Sequence, residues 1–396
     1  MFLDLLRRRN PALIDAAIGL HQQGELPANT FAIDLDAVRA NAAAFAAEAG
    51  RLGLTPFAMT KQMGRNADFC AALVAAGIPA SVAVDMADAR ATVAAGMQLG
   101  HLGHLVQVPR AEAAAAAGMS PQNWTVFSDA KAREAAAANA AIGRDQSLLA
   151  RIQAEGDEFY PGHEGGFPAD DVVAVADRLD ALPGASFAGI TTFPALLFDA
   201  RRPGVRGTRN LATLEAAAKR LADAGRTGVR INGPGTTSTA ALPTLASAGV
   251  TQVEPGHALT GTTPWHAVED LVERPAVCYV SEVSHLHAGR AYCFGGGMYV
   301  DPVFPPYQVT AVVGREPGAT VLLPATLPPP SAIDYYGQLH LAGAPPVEAG
   351  DTVVFGFRAQ VFVTRAYTAG ITGIAEGRPR VAGIHAADGH VASWPA

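Results

Sequence analysis

A regular alternation of short β-rich apolar segments and longer alanine-rich helical segments runs from about residue 30 to residue 265. The first β segment is TFAIDL, and eight more follow it, from TPFAMT to TQVEP. Helical segments such as 85–96 and 210–225 lie between them, and several end at glycine. Because strict β-then-α alternation is typical of parallel sheets, the eight units after the first strand favour a closed (β/α)8 barrel. An open doubly wound sheet is the alternative, but no GxGxxG motif follows the first strand.

The chain changes character after about residue 273, where proline, glycine and β-branched residues replace the helical periodicity. We therefore expect an α/β architecture in three regions: an N-terminal helical extension (residues 1–29), a (β/α)8 barrel (30–270) and a C-terminal, mainly-β domain (271–396). The extension has the spacing of an amphipathic helix. Its arginines follow the apolar stretch, which is the reverse of a secretory signal.

Composition narrows the class of protein. Hydrophobic residues make up 49% and charged residues 16% of the chain, and the net charge is -7, so we expect a globular protein with no nucleic-acid partner. The three cysteines, Cys70, Cys278 and Cys293, have no CxxC spacing, and a disulfide framework is not expected. No uncharged apolar run approaches the ~20 residues needed to span a bilayer. These features predict a soluble cytoplasmic protein with no membrane partner.

Lys61 follows TPFAMT at the end of a predicted strand, the edge at which barrels carry their active sites. Only three of the 29 lysines and arginines are lysine. An amine can lose its proton and form an imine with an aldehyde, which a guanidinium cannot do. Lys61 is therefore a candidate catalytic residue, and a lysine extending to solvent is the alternative. Other side chains expected at this edge are Asp85, His104, Ser128, Thr192 and Phe193.

The segments INGPGTTSTAAL and VEPGHALTG each run from a predicted strand into a glycine turn. In the first, backbone N–H groups and hydroxyls of Gly235, Thr236, Thr237 and Ser238 can form a phosphate cradle, with an ordinary helix cap as the alternative. In the second, Gly256 and His257 can add N–H groups. Glu254 precedes them, and a carboxylate in a barrel mouth is costly unless it meets a cation.

An imine-forming lysine, a phosphate cradle and a carboxylate that needs a cation together match pyridoxal 5′-phosphate (PLP). We expect the cofactor's aldehyde at Lys61, its phosphate at the 235–238 loop and the Gly256 turn, and its protonated ring nitrogen at Glu254.

The segments FAIDLDAVRANAAAF, TPFAMTK and VAVDMADARATVAAG resemble, in order and spacing, the start of the alanine-racemase-like, fold-type III PLP enzymes. The likeness continues through GITTFP, INGPGTTS and VEPGHALTG to HAGRAYCFGGGMY, SAIDYY and GDTVVFGF, over about residues 30–365. Within that group the chain is most similar to an uncharacterised bacterial branch. The resemblance implies a barrel that holds PLP, a C-terminal β domain, and a head-to-tail homodimer in which each β domain completes the partner's active site.

Several positions depart from the alanine racemase pattern. Glu254 stands where alanine racemase has an arginine, as in the basic amino acid decarboxylases, which implies a protonated cofactor ring. Arg65 replaces a tyrosine and is implied as a phosphate ligand. Phe294 aligns with the second catalytic tyrosine and cannot move a proton, which leaves its neighbours Tyr292 and Cys293 as candidates for the second acid–base group.

Three further positions follow from the same alignment. Glu164 falls near the arginine that helps to hold the substrate carboxylate in racemases, which points to a different substrate shape. Thr192 replaces a histidine of the sixth strand, and it joins His104 and Tyr336 among the residues expected near the cofactor.

These residues predict a PLP enzyme that acts at Cα of an amino acid or related amine, most simply a racemase or epimerase for a substrate other than alanine. A PLP-dependent decarboxylase or β-eliminating lyase is the first alternative. A non-catalytic PLP-binding homeostasis protein is the second, although such proteins stop after the barrel.

Two histidine pairs form weaker motifs. His285 and His287 would lie on one face of a strand, but no carboxylate or cysteine completes a metal site at an obvious spacing, and no metal is expected. His101 and His104 are three residues apart in a predicted strand, a spacing that predicts opposite faces.

Overall fold

The computed structural model describes residues 1–299, 307–329 and 331–394. The chain forms two compact units: the first combines Met1–Ala42, Lys61–Leu73 and His257–Ala396, and the second combines Ala43–Thr60 and Val74–Gly256. Parts of the predicted C-terminal domain, residues 300–306, 330 and 395–396, lie outside the described residues.

The α-helices of the described residues are α1 (Phe2–Arg9), α2 (Pro11–Gln22), α3 (Leu35–Arg51), α4 (Ala67–Ala75), α5 (Met86–Ala94), α6 (Ala113–Gly118), α7 (Asp129–Ala140), α8 (Val172–Asp180), α9 (Arg209–Asp223) and α10 (Leu242–Ser247). The strands are β1 (Thr30–Asp34), β2 (Thr55–Pro56), β3 (Ala58–Met59), β4 (Ala80–Ala83), β5 (Gln98–Leu102), β6 (Asn123–Val126), β7 (Gln146–Gln153), β8 (Phe167–Pro168), β9 (Ala185–Thr191), β10 (Leu196–Phe198), β11 (Val205–Gly207), β12 (Arg230–Asn232), β13 (Gln252–Val253), β14 (Val277–His287), β15 (Arg290–Phe294), β16 (Val309–Glu316), β17 (Ala319–Thr326), β18 (Tyr336–His340), β19 (Thr352–Phe355), β20 (Tyr367–Thr372) and β21 (Arg380–His385).

The second unit holds a ring of parallel strands in the order β2, β13, β12, β9, β7, β6, β5, β4 and β3. β2 and β3 flank Phe57 on one stretch of chain; β2 pairs with β13 and β3 pairs with β4, so this stretch has a neighbour on each side. The ring therefore has eight strand positions, and they coincide with the eight segments predicted after TFAIDL. The predicted barrel is confirmed.

Helices α5 and α7, which lie between these strands, begin at side-chain caps. The Asp88 N–H donates to Asp85 Oδ1 at 2.8 Å ahead of α5, and the Lys131 N–H donates to Ser128 Oγ at 3.4 Å ahead of α7. Asp85 and Ser128 lie after strands, as expected, and their side-chain oxygens accept hydrogen bonds from backbone N–H groups in the first turn of each helix.

The first unit holds a nine-stranded sheet in the order β15, β18, β17, β16, β19, β14, β1, β20 and β21. β1 is the TFAIDL segment, which the alternation groups with the barrel; instead it pairs antiparallel with β14 and parallel with β20. All five of its residues are buried, as in a barrel strand, so local sequence does not separate the two settings. The three-region division itself stays a prediction.

The N-terminal segment forms two helices rather than one. Pro11 occupies the first position of α2, and Asn10 Nδ2 donates to Asp34 Oδ2 and the Pro275 carbonyl, both at 2.9 Å. Both helices contribute to a core with the sheet of the same unit, as Leu6, Leu13 and Val280 show by lying at 1% exposure or less. None of the helices in the described part of the chain combines the length and the apolar run that crossing a membrane requires.

Candidate active site

Glu254, directly after β13, is the most constrained ionisable residue of the second unit. Its side chain is 2% exposed. Its Oε1 accepts from His101 Nδ1 at 2.6 Å and from Asn232 Nδ2 at 3.0 Å. Its Oε2 lies 3.3 Å from His104 Nε2, an ion-pair distance, but has no hydrogen bond among the described residues. The two carboxylate oxygens thus have different surroundings.

The donors to Glu254 are themselves held by hydroxyls on neighbouring strands. His101 Nε2 lies 2.6 Å from Thr125 Oγ1 of β6, and Thr191 Oγ1 of β9 donates to Asn232 Oδ1 at 2.7 Å. Because the Asn232 oxygen accepts from Thr191, its amide N–H groups face the carboxylate. This polar network links residues of β5, β6, β9 and β12 to Glu254 after β13.

Burial alone would raise the pKa of Glu254. The charges of His104 and His101, and then the hydrogen bonds, outweigh that effect and hold the pKa below its ordinary value. Glu254 therefore carries its negative charge inside the barrel.

The prediction that His101 and His104 point to opposite faces is wrong. Both lie beside Glu254, with ring centroids 5.2 Å apart. β5 ends at Leu102, and Gly103 takes a φ of +79°, so the two-residue period stops before His104. A Cβ at position 103 would lie 2.7 Å from the Thr125 carbonyl oxygen, and only glycine fits this turn.

Donor atoms of His101, His104 and Glu254 lie within 4.8 Å of one another, a set of the type that can hold zinc. The 2.6 Å contact from His101 to Glu254 is a hydrogen bond, which satisfies His101 Nδ1 and Glu254 Oε1 without an ion. The His285 and His287 pair lies at the exposed C-terminal end of β14, and no third ligand-type side chain joins it among the described residues.

The predicted phosphate loop follows β12. The Thr236 N–H donates to the Leu196 carbonyl at 3.0 Å, and Thr237 Oγ1 donates to the Gly235 carbonyl at 3.2 Å. A Cβ at Gly235 would meet the Leu196 oxygen at 2.5 Å. Close packing against Leu196 thus explains why residue 235 is glycine. The Thr236 N–H is already engaged in a hydrogen bond to the Leu196 carbonyl. The Ser238 hydroxyl, like that of Thr192, is buried with no hydrogen bond among the described residues. These two hydroxyls are the groups of the loop region that a ligand would satisfy.

Lys61, in the first unit, comes two residues after β3 and begins a 3₁₀ turn. Its Nζ lies 5.0 Å from the centroid of the Phe362 ring, and the Arg65 guanidinium lies 5.7 Å from the same centroid. Arg65 also donates to the Ala387 carbonyl at 3.1 Å. Both cations are thus within cation–π distance of the Phe362 ring.

His257 is buried in the same unit, where its Nε2 lies 3.3 Å from Gln360 Nε2. Burial first, and then the charges of Arg358 and Lys61, lower its pKa well below the ordinary value. His257 is therefore a neutral ring that can take part in hydrogen bonds without adding charge. Gln360 and Arg358 carry no sequence motif that would have pointed to them.

Tyr292 and Cys293 are consecutive on β15 and face different surroundings. Cys293 is fully buried, and burial raises the pKa of its thiol to about 12. Tyr292 stacks on His285 with centroids 4.7 Å apart, and Tyr336 meets the edge of His285 at 5.2 Å. A buried neutral thiol is a poor proton donor, so Tyr292 is the better placed of the two. Both roles stay predictions.

Arg151 is a residue that sequence reasoning missed. It is 1% exposed, at the end of β7, and it donates to the carbonyls of His163 at 2.7 Å and of His104 and Phe193 at 3.4 Å. Burial lowers the pKa of its guanidinium to about 10, so it remains charged. Arg151 joins three loops at one edge of the barrel. An arginine inside the otherwise apolar segment SLLARIQ was the available signal.

Comparison with known proteins adds the family context. The family described as "Alanine racemase, N-terminal domain" matches residues 33–264, and the one described as "YhfX-like, C-terminal domain" matches residues 278–381. The "Uncharacterized protein YhfX" of Escherichia coli (strain K12) is 40% identical over 383 residues, which cover 97% of each chain.

Two solved structures share the fold. D-threonine aldolase from Filomicrobium marinum superposes with a TM-score of 0.66 at 18% identity, covering 92% of this chain and 96% of that one. D-threo-3-hydroxyaspartate dehydratase from Delftia sp. HT23 superposes with a TM-score of 0.64 at 19% identity, covering 90% of this chain and 97% of that one. The TM-scores show a common fold, while identities this low leave activity to be argued from side chains.

Proposed function

This chain belongs to the alanine racemase N-terminal domain family, which its residues 33–264 match, and from that premise we propose that it is a PLP-dependent enzyme acting at Cα of an amino acid or related amine. The reaction we propose is racemisation or epimerisation of a substrate other than alanine. A cytoplasmic location, expected from the cysteines, remains part of the proposal.

One observation carries the proposal: Glu254 is a buried, ionised carboxylate whose Oε2 has no hydrogen bond among the described residues. A protonated pyridine nitrogen is a cation with one N–H, which is the partner such an oxygen lacks. The hydroxyls of Thr192 and Ser238 are also buried without a hydrogen bond among the described residues, and both could donate to the oxygens of a phosphate. The donor set of the barrel therefore fits PLP.

When bound, PLP supplies an electron sink that stabilises negative charge at Cα. We propose that Lys61 would hold the aldehyde carbon through Nζ and would move the Cα proton on one side. Glu254 would accept the ring N–H at Oε2, and the 235–238 loop with the Gly256 turn would bind the phosphate. Arg65, His104, His257 and Tyr336 remain proposed cofactor-binding residues.

Racemisation needs a second acid–base group on the other side of Cα. We propose Tyr292 for this role, because its ring is partly exposed and carries a hydroxyl, whereas the Cys293 thiol is buried. The proposal includes a homodimer in which the 292–297 segment of one subunit faces Lys61 of the other.

A lyase is the alternative, and Glu254 is the observation that favours it. A carboxylate at the ring nitrogen keeps the ring protonated, which strengthens electron withdrawal and supports bond cleavages other than loss of the Cα proton. The aldolase and dehydratase named above share the fold. The nine-stranded sheet that accompanies the barrel argues against a protein that only stores PLP.

The first test is covalent fixation of PLP. Borohydride reduction of the loaded protein, followed by peptide mass mapping, is expected to place one phosphopyridoxyl group on Lys61. Lys131→Arg should keep that label, because Lys131 is held by Glu134 at 2.8 Å on α7, and Lys61→Arg should lose it. A protein that takes up no PLP would refute the proposal.

The second test separates the reactions. Each enantiomer of a panel of amino acids is incubated in D2O, and deuterium at Cα is measured together with chirality and carbonyl products. A racemase gives exchange with both enantiomers present at the end. Exchange with release of an aldehyde, keto acid or CO2 identifies a lyase instead.

A further inference from the structure

The two oxygens of Glu254 differ in how firmly they are held. Oε1 accepts two hydrogen bonds, from His101 Nδ1 at 2.6 Å and from Asn232 Nδ2 at 3.0 Å. Oε2 accepts none among the described residues, although His104 Nε2 lies 3.3 Å from it at an ion-pair distance. One hydrogen bond would let the carboxylate turn about its Cγ–Cδ bond, whereas two donors on one oxygen fix its plane. The oxygen left over is then always Oε2.

His101 is the stronger of the two holding groups. An ionised carboxylate only accepts hydrogen bonds, so Nδ1 of the His101 ring must carry a proton. Its other nitrogen lies 2.6 Å from Thr125 Oγ1, which anchors the ring to β6. The imidazole is 0% exposed, and water cannot replace either contact.

We infer that His101 is a positioning residue, which fixes Oε1 of Glu254 through Nδ1–H and thereby reserves Oε2 for a single N–H donor, the ring nitrogen of the cofactor. This inference rests on the proposed function. It assigns His101, a buried residue of β5, a role that no sequence motif indicates.

Four substitutions separate the two contacts of His101. His101→Asn places an N–H where Nδ1 lies and keeps the bond to Glu254. His101→Gln places its amide near Nε2 and keeps the contact with Thr125 while losing Glu254. His101→Phe loses both with the volume retained, and Thr125→Val removes only the anchor.

The first measurement needs no cofactor. In protein labelled with 15N histidine, the proton on Nδ1 of His101 is expected as a strongly downfield 1H signal, because it is shared with a buried carboxylate. Glu254→Gln should remove or shift this signal, and Thr125→Val should retain it. A His101 protonated only on Nε2 would overturn the inference.

The second measurement uses PLP labelled with 15N in the ring, whose chemical shift separates protonated from unprotonated nitrogen. At a fixed pH, wild type and His101→Asn are expected to show protonated ring nitrogen. His101→Gln and His101→Phe should lower the ratio of protonated to unprotonated forms roughly tenfold or more, the effect of one hydrogen bond to a charged group. An unchanged ratio in both would overturn the inference.

A matched control and a competing occupant complete the test. His266 and Glu273 form another buried pair, with His266 Nε2 3.2 Å from Glu273 Oε2 in the first unit. His266→Asn should leave the protonation of the cofactor's ring nitrogen unchanged. An equal change in this variant would show a general loss of structure and refute a specific role for His101. Zinc that displaces the Nδ1 proton at stoichiometric concentration would show that His101 is a metal ligand instead. If PLP does not bind at all, the proposed function fails, while the Nδ1 signal still reports on His101.

Discussion

At the scale of single residues, Tyr292 and Cys293 show that neighbouring positions on one strand can differ in burial and in the ability to donate a proton. Successive side chains on β15 point to opposite faces. The Cys293 thiol therefore enters the core, where burial raises its pKa to about 12, while Tyr292 stacks on His285 at 4.7 Å. The sequence alone does not decide which of the two is the better proton donor, because both lie within two residues of Phe294.

We predict that Tyr292→Phe lowers racemisation roughly 10²- to 10⁴-fold, the usual contribution of one catalytic proton transfer. Deuterium exchange of one enantiomer through Lys61 should fall much less. Chirality and mass spectrometry measured on the same samples give both rates. Cys293→Ala is the control and should leave their ratio unchanged; a drop in racemisation for this variant alone would show that the thiol is the acid.

At the scale of elements, α2 is tied to the nine-stranded sheet by a histidine. His21 Nδ1 lies 2.8 Å from Thr352 Oγ1 of β19, and its Nε2 lies 3.4 Å from Glu282 Oε2 of β14. Burial lowers the pKa of His21 from 6.5 to about 4. The folded protein therefore disfavours a proton that the unfolded chain binds readily.

This shift makes α2 docking sensitive to acid. Between pH 6.5 and about 4 the unfolded state binds the extra proton, so stability falls as pH falls, by about 3 kcal/mol in total. His21→Asn keeps a group at Nδ1 but cannot be protonated, and its unfolding midpoint should fall less between pH 7 and pH 4. His287→Asn, at an exposed strand position, should retain the wild-type pH dependence; equal slopes for all three proteins would contradict the assignment.

The sequence correctly predicts the elements that are determined by residues close together in the chain. The eight barrel strands follow from the alternation, and Asp85 and Ser128 lie after strands as predicted, whereas their role as helix caps is seen only in the structure. The placement of β1 does not follow from the alternation, because a fully buried strand looks alike in a barrel and in a mixed sheet. The contact between His101 and Glu254 is also not predictable from the sequence. Contacts across a barrel depend on the residue at which each strand ends, and Gly103 determines where β5 ends.

At the scale of the whole molecule, the proposed homodimer makes a quantitative prediction. If one subunit supplies Lys61 and the other Tyr292, then Lys61→Ala and Tyr292→Phe each damage every site of their own dimers. A mixed dimer of the two variants has one intact site. Refolding equal amounts together should restore roughly a quarter of wild-type activity.

The control for this experiment is a mixture of Lys61→Ala with Lys61→Arg, in which no combination restores a site. Sedimentation should give a dimer for every variant. A monomer with full activity, or a mixture as inactive as its parents, would show that each chain carries a complete site.

The pairing of β1 with β20 has a consequence for biosynthesis. Thr30 lies opposite Tyr367, so the strand must wait for most of the chain before its parallel partner exists. At about 5–20 residues per second, ribosomes need roughly 15–70 s to bridge that interval. During this time the parallel ring, whose strands all lie between Thr55 and Val253, can emerge and close. Even after β14 is available to pair with one edge of β1, the nascent protein carries an apolar N-terminal strand whose other edge stays unpaired until translation is almost finished, which makes it a natural client for ribosome-associated chaperones.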